Sequence, residues 1–130
     1  MKRIKANPYI YINYKLRQLE LSLSYREYEE EGERLAECSE MQIIAPGKTK
    51  RKAYDTLVEM VVTTLIVAIE TNSLKDHLKA LDFRMVNVPV PSVEIYESKK
   101  RVASDTIPLI INSPIPVTSI KDETGIELLK

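Results

Sequence analysis

Carboxylates crowd one stretch of this chain, at Glu27, Glu29, Glu30, Glu31, Glu33, Glu37 and Glu40. Like charges at this density draw a basic partner into fast, salt-sensitive association. They also serve as the solvated tip of a hairpin that keeps a sheet edge soluble. Glu29, Glu30, Glu31 and Glu33 are therefore the candidate partner-binding residues. A basic run follows at Lys48, Lys50, Arg51 and Lys52, where a helix is expected to begin. The unpaired amides of a helix start face anions, which makes these four the candidate contacts to phosphate or nucleic acid. Only Tyr54 supplies an aromatic ring nearby and no base-reading element is present. A solvated turn, or a patch that meets the acidic hairpin of a second copy, is the simpler account.

Residues that ordinarily do covalent or metal chemistry are scarce. One Cys and one His exclude a Cys/His zinc site within one chain, and Cys38 reads as a small buried hydrophobe. There is no glycine-rich phosphate loop and no Ser/His/Asp set, and His77 has no evident acid partner. Neither an enzyme nor a cofactor is expected. Nineteen basic and nineteen acidic residues cancel, so bulk charge names no partner and only local patches count.

With 130 residues, 44% apolar and 29% charged, the chain has the size and composition of one globular domain with one core. The start MKRIKANPYIY lacks the apolar run of a signal peptide. The longest apolar stretch, Leu57 to Ile69, is interrupted by Glu59, Thr63 and Thr64 and is shorter than the roughly 20 residues that cross a bilayer. A cytoplasmic protein is expected.

The elements that must position these residues follow from periodicity. Between Tyr14 and Tyr28, Leu19, Leu21, Leu23 and Tyr25 alternate with Glu20, Ser22, Ser24 and Arg26, the pattern of a half-buried strand. The acidic run ending at Gly32 breaks it, Arg34 to Ser39 resumes a strand, and Gln42 to Ala45 adds a third before the Pro46-Gly47 turn. Tyr9, Ile10, Tyr11, Ile12 and Tyr14 read as an ordinary edge strand, with an exchanged arm as the alternative.

Thr49 is placed to cap a helix from Lys50 to about Thr71. Asp55, Glu59, Thr63 and Glu70 form its narrow polar stripe, and Tyr54, Leu57, Val58, Val61, Leu65 and Ala68 form the face that covers a sheet. Met60, Val62, Ile66, Val67 and Ile69 extend the apolar arc further, so Met60, Val62, Ile66 and Ile69 are the candidate oligomer face, expected to meet the C-terminal strands or a second protomer. Ser73 caps a short helix from Leu74 to Leu81 whose His77 is expected to be exposed. After Phe83, prolines at 89, 91, 108, 114 and 116 exclude long helices and leave Met85 to Val90, Val93 to Tyr96 and Ile107 to Ile111 as strands or extended arms. Lys99, Lys100 and Arg101 read as a charged turn between them. The fold class is α+β: a small antiparallel sheet covered by one long and one short helix, with a C-terminal strand tail.

Ala36, Glu37, Cys38, Glu40, Met41, Gly47, Thr49, Ala53 and Leu57, closed by Leu78 to Phe83, form an ordered pattern that resembles the HicB family. The resemblance covers Leu19 to Phe83. It divides the chain into a HicB-like domain with an N-terminal arm over residues 1–83 and a Pro-rich extension over residues 84–130. The chain differs from the family pattern at Ser39, Arg51, Lys52 and Asp82.

The resemblance implies a partial ribonuclease-H-like fold without catalysis, a homo-oligomer, and in antitoxin members the occlusion of a small, basic, RNA-cleaving HicA-type toxin. The acidic hairpin would then mimic RNA phosphates. The Pro-rich tail cannot supply the DNA-binding helices of such antitoxins, so sequence-specific DNA binding is not expected. Metal-dependent nuclease chemistry would need converging carboxylates, for which Glu20, Glu37, Asp55 and Glu59 are the available groups; solvent exposure is the simpler account of the last two. A solitary, self-associating structural protein is the competing expectation.

Overall fold

Alternating side chains drive seven segments of the chain into strands, and a computed structural model describes residues 8–100 and 105–113. In chain order the elements are β1 (Tyr9–Asn13), β2 (Gln18–Glu30), β3 (Glu33–Cys38), β4 (Ile43–Gly47), α1 (Lys50–Glu70), α2 (Leu74–Ala80), β5 (Phe83–Val86), β6 (Val93–Ser98) and β7 (Asp105–Asn112). Strand pairing runs β4-β3-β2-β1-β6-β5, with β7 also paired to β2, and every ladder is antiparallel. The α+β class with one long and one short helix is what the sequence implied. The C-terminal strands are part of this same sheet. Arg101 and the residues beyond 113 lie outside the described residues.

The long strand β2 buries Leu19, Leu21 and Leu23 on one face, as its alternation requires. Tyr14 to Arg17, expected to start that strand, instead turn the chain. At the other end Glu31 (φ 53) and Gly32 (φ 79) occupy the two central positions of a hairpin closed by the Glu30 and Glu33 pair. Two left-handed residues in a two-residue turn match the right-handed twist of the strands.

β1 is an interior strand and not the edge that its place in the chain suggested. Ile12 lies between Leu19 of β2 and Glu94 of β6, and Ile10 between Leu21 and Tyr96. Ile10 and Ile12 enter the main core, whereas Tyr11 joins Val93 and Ile95 on the opposite face. Val88 and Val90, in the segment linking β5 to β6, pack over that face. Both faces of β6 are therefore buried.

Helix α1 starts where Thr49 accepts the Lys52 amide at 3.1 Å. Ala53, Leu57, Val61, Leu65, Ala68 and Ile69 face the core, while Tyr54 and Val58 sit half-buried at its margin. Asp55, Glu59, Thr63 and Glu70 point outward as the polar stripe. Ile69, counted above in the oligomer face, is only 2% exposed and belongs to the chain's own core. The other three do not make one face either. Helical spacing of about 100° per residue puts Met60 on the opposite flank of the stripe from Val62 and Ile66. Ser73 precedes α2 without capping it through its side chain, pairing instead with Thr71 at 2.7 Å. No helix among the described residues is long and apolar enough to cross a membrane.

Candidate functional site

The carboxylates that looked like one cluster are divided three ways by the sheet. Glu27, Glu29, Glu30, Glu31 and Glu33 are exposed around the hairpin. Glu37 pairs across the ladder with Arg26, whose guanidinium reaches it at 2.7 Å and lies 4.6 Å from the centre of the Tyr28 ring. Glu40 is fully buried. There it accepts the Ser24 amide at 3.2 Å, the Ser24 hydroxyl and the Cys38 thiol at 3.3 Å. Ser24 lies between the part of β2 that pairs with β1 and the part that pairs with β3, and a side-chain carboxylate meets its amide.

The basic run is divided as well. Register places Arg34 opposite Gly47 and Leu35 opposite Pro46, which brings Lys48 beside the hairpin. Glu29, Gly32, Glu33, Arg34, Pro46, Gly47 and Lys48 line an open cleft of about 530 Å³. Lys50 and Arg51 border a second groove with Tyr25, Glu27 and Tyr54, whose two rings stand 5.1 Å apart. Arg51 is tied to Asp55 one turn along the helix at 3.1 Å. Lys48, Lys50 and Arg51 thus border carboxylates of the hairpin in two separate grooves, while Lys52 is exposed on the first turn of α1. Burial, with the charges of Glu27 and Asp105, pushes the Tyr25 hydroxyl above its ordinary pKa.

Compared with models of protein families, with curated proteins and with solved structures, the chain matches none.

Its chemistry therefore rests on its own geometry. Among the described residues no three His, Cys, Asp or Glu side chains stand together in a way that could hold a metal ion. Glu20 faces Tyr11 across the β1 ladder, while Asp55 and Glu59 point into solvent from the helix. His77, expected to be exposed, is half-buried beside Thr63, Thr64, Thr71 and Ser73, and its Nε2 has no hydrogen-bond partner. Cys38 is buried, and that burial, followed by the nearby charge of Glu40, raises its thiol pKa to about 12. At neutral pH it is a thiol that donates a hydrogen bond, not a nucleophile.

Sequence reasoning missed three buried carboxylates, Glu40, Glu94 and the Arg84-paired Glu97. Glu40 stands in the acidic cluster of the sequence, and Glu94 falls inside Val93 to Tyr96, expected as a strand or extended arm. Glu94 Oε1 accepts from the Tyr14 hydroxyl at 2.8 Å and from the Tyr96 hydroxyl at 3.0 Å. The detectable signal was parity, since alternation puts Glu94 on the same face as the buried Tyr96. Burial first, then the charge of Glu94, pushes both tyrosine pKa values well above 10.0. The neutral phenols favour the folded state, so their contribution is complete below about pH 10 and is lost as the pH climbs towards the folded values. Stability is expected to fall there by about 1.4 kcal/mol per pH unit for each group. Of the seven tyrosines, Tyr14 and Tyr96 should ionise only with unfolding in a spectrophotometric titration. Free ionisation of all seven in the folded state would contradict this.

Proposed function

We propose that the chain is a non-catalytic, HicB-like binding protein of the antitoxin kind that occludes a small, basic, RNA-cleaving partner of the HicA type. The observation that carries this reading is the projecting hairpin. β4 ends level with the pair of Glu29 and Arg34, so Glu30, Glu31 and Glu33 extend beyond it at the hairpin tip, and Glu29 to Glu33 have their carboxylates exposed. A backbone already fixed in a hairpin loses little freedom on binding, and the exposed carboxylates it carries steer a basic partner by long-range attraction. This reading places the protein in the cytoplasm and gives it no need of a cofactor.

The test begins with the native complex. Its mass at low and high salt identifies a small basic polypeptide, and rapid-mixing kinetics follow with the triple variant Glu29→Lys, Glu30→Lys, Glu31→Lys. Steering of this kind accelerates encounter by about ten-fold or more, and the variant is expected to lose that advantage together with most of the salt dependence. An association rate indifferent to both charge and salt would end the proposal. The mixed charge of the cleft favours a second reading, in which Arg34 and Lys48 of one copy meet the hairpin of another and the chain is a self-associating structural protein. A native mass made up of several copies and no second polypeptide would support that reading instead.

A further inference from the structure

We propose that Pro108 guards against self-assembly, closing the β7 edge of the sheet to strand addition by a second copy of the chain. Among the described residues β7 pairs only with β2, and at eight residues it is longer than β4 with five or β5 with four, which end the two sides of the strand path. Those two edges are short, and they carry Pro46 and the Arg84–Glu97 ion pair. After Asp105, β7 has no charged residue, and its Ile110 is 60% exposed. A long, neutral, apolar edge is a template for another strand unless something blocks it.

The register shows which way the proline points. Amide directions alternate along an antiparallel strand, and the Ser24 amide is directed to Glu40 and not to its β7 partner Thr106. The Ser22 amide, two residues earlier, faces the same way, so Ser22 and its partner Pro108 form a pair without mutual hydrogen bonds. The nitrogen of Pro108 therefore faces the free edge. Its missing N–H costs nothing against β2, while its ring fills the place where an incoming strand would seek a donor. Thr106 and Ile110, on either side, have outward amides that a strand could use. Removing the proline should make the edge competent.

The full chain carrying Pro108→Thr is compared with the parent by light-scattering mass and amide hydrogen exchange. The parent amides of Thr106 and Ile110 are expected to exchange freely. The variant is expected to show at least double the parent mass, protection at those two amides, and return to the parent mass when Ile110→Lys is added. An unchanged mass overturns the proposal, as does a larger mass without protection at Thr106 and Ile110. Protection of these amides in the parent, which would mean that the edge is already paired, also overturns it. Should circular dichroism show Pro108→Thr unfolded, Pro108→Ala is read by the same criteria. Because only this chain is present, the result stands apart from the hairpin and any toxin.

Discussion

Replacing Gly47 with alanine is expected to destabilise the fold by about 3 kcal/mol, the upper end of what overpacking a tight contact costs. A Cβ at this position would lie 2.2 Å from the amide nitrogen of Ala53, 2.6 Å from its Cα and 2.8 Å from the carbonyl carbon of Lys52. All three are backbone atoms of the first turn of α1, so no rotamer change can relieve the clash. Either the helix lifts from β4 or the end of β4 bends away, and both expose Ala53, which is 1% accessible. Gly32 offers the contrast. Its Cβ would touch nothing within 4 Å, but its φ of 79° is costly for an L residue, so Gly32→Ala should lose only about 1 kcal/mol. Urea unfolding of the two variants beside the parent makes the comparison. Equal losses, or a Gly47→Ala midpoint matching the parent, would show that the helix does not depend on this approach.

Glu40→Ala is expected to cost about 3–5 kcal/mol, a large share of the roughly 5–15 kcal/mol that holds a domain of this size. The carboxylate is inaccessible to solvent and is met by the Ser24 amide, the Ser24 hydroxyl and the Cys38 thiol. Alanine would leave the amide without its acceptor in the core and a hole where the side chain stood, and both losses add. Glu40→Gln keeps the volume and one oxygen, while the Ser24 hydroxyl can rotate to accept from the new amide, so a loss nearer 1 kcal/mol is expected. The alanine variant should also free Cys38 for thiol reagents under conditions where the parent is inert. Equal stability of the alanine variant and the parent would mean that the carboxylate is a surface charge in solution.

How far the sequence could be read depends on how local each cause is. The α1 start was legible because Thr49 caps an amide three residues ahead. The hairpin was legible because Gly32 follows a run of carboxylates that no strand core accommodates. The reason for Gly47 was only half legible. A turn residue was expected there, yet its φ lies outside the left-handed region, and what demands glycine is the nearness of α1. The candidate site followed the same division. Exposed glutamates at the hairpin tip were correctly placed, whereas Glu37 and Glu40 were drawn away from them by Arg26 and Ser24.

The sequence by itself determined the α+β class, the long capped helix and the strands of the hairpin, because periodicity and capping act over a few residues. Tertiary structure alone decided that β1 lies inside the sheet, that Ile69 is core, and that Glu40, Glu94 and Glu97 are internal. Those outcomes depend on which distant segments meet. Tyr14 and Glu94 are 80 positions apart, and no local pattern encodes the pairing that lets a buried carboxylate find its donors.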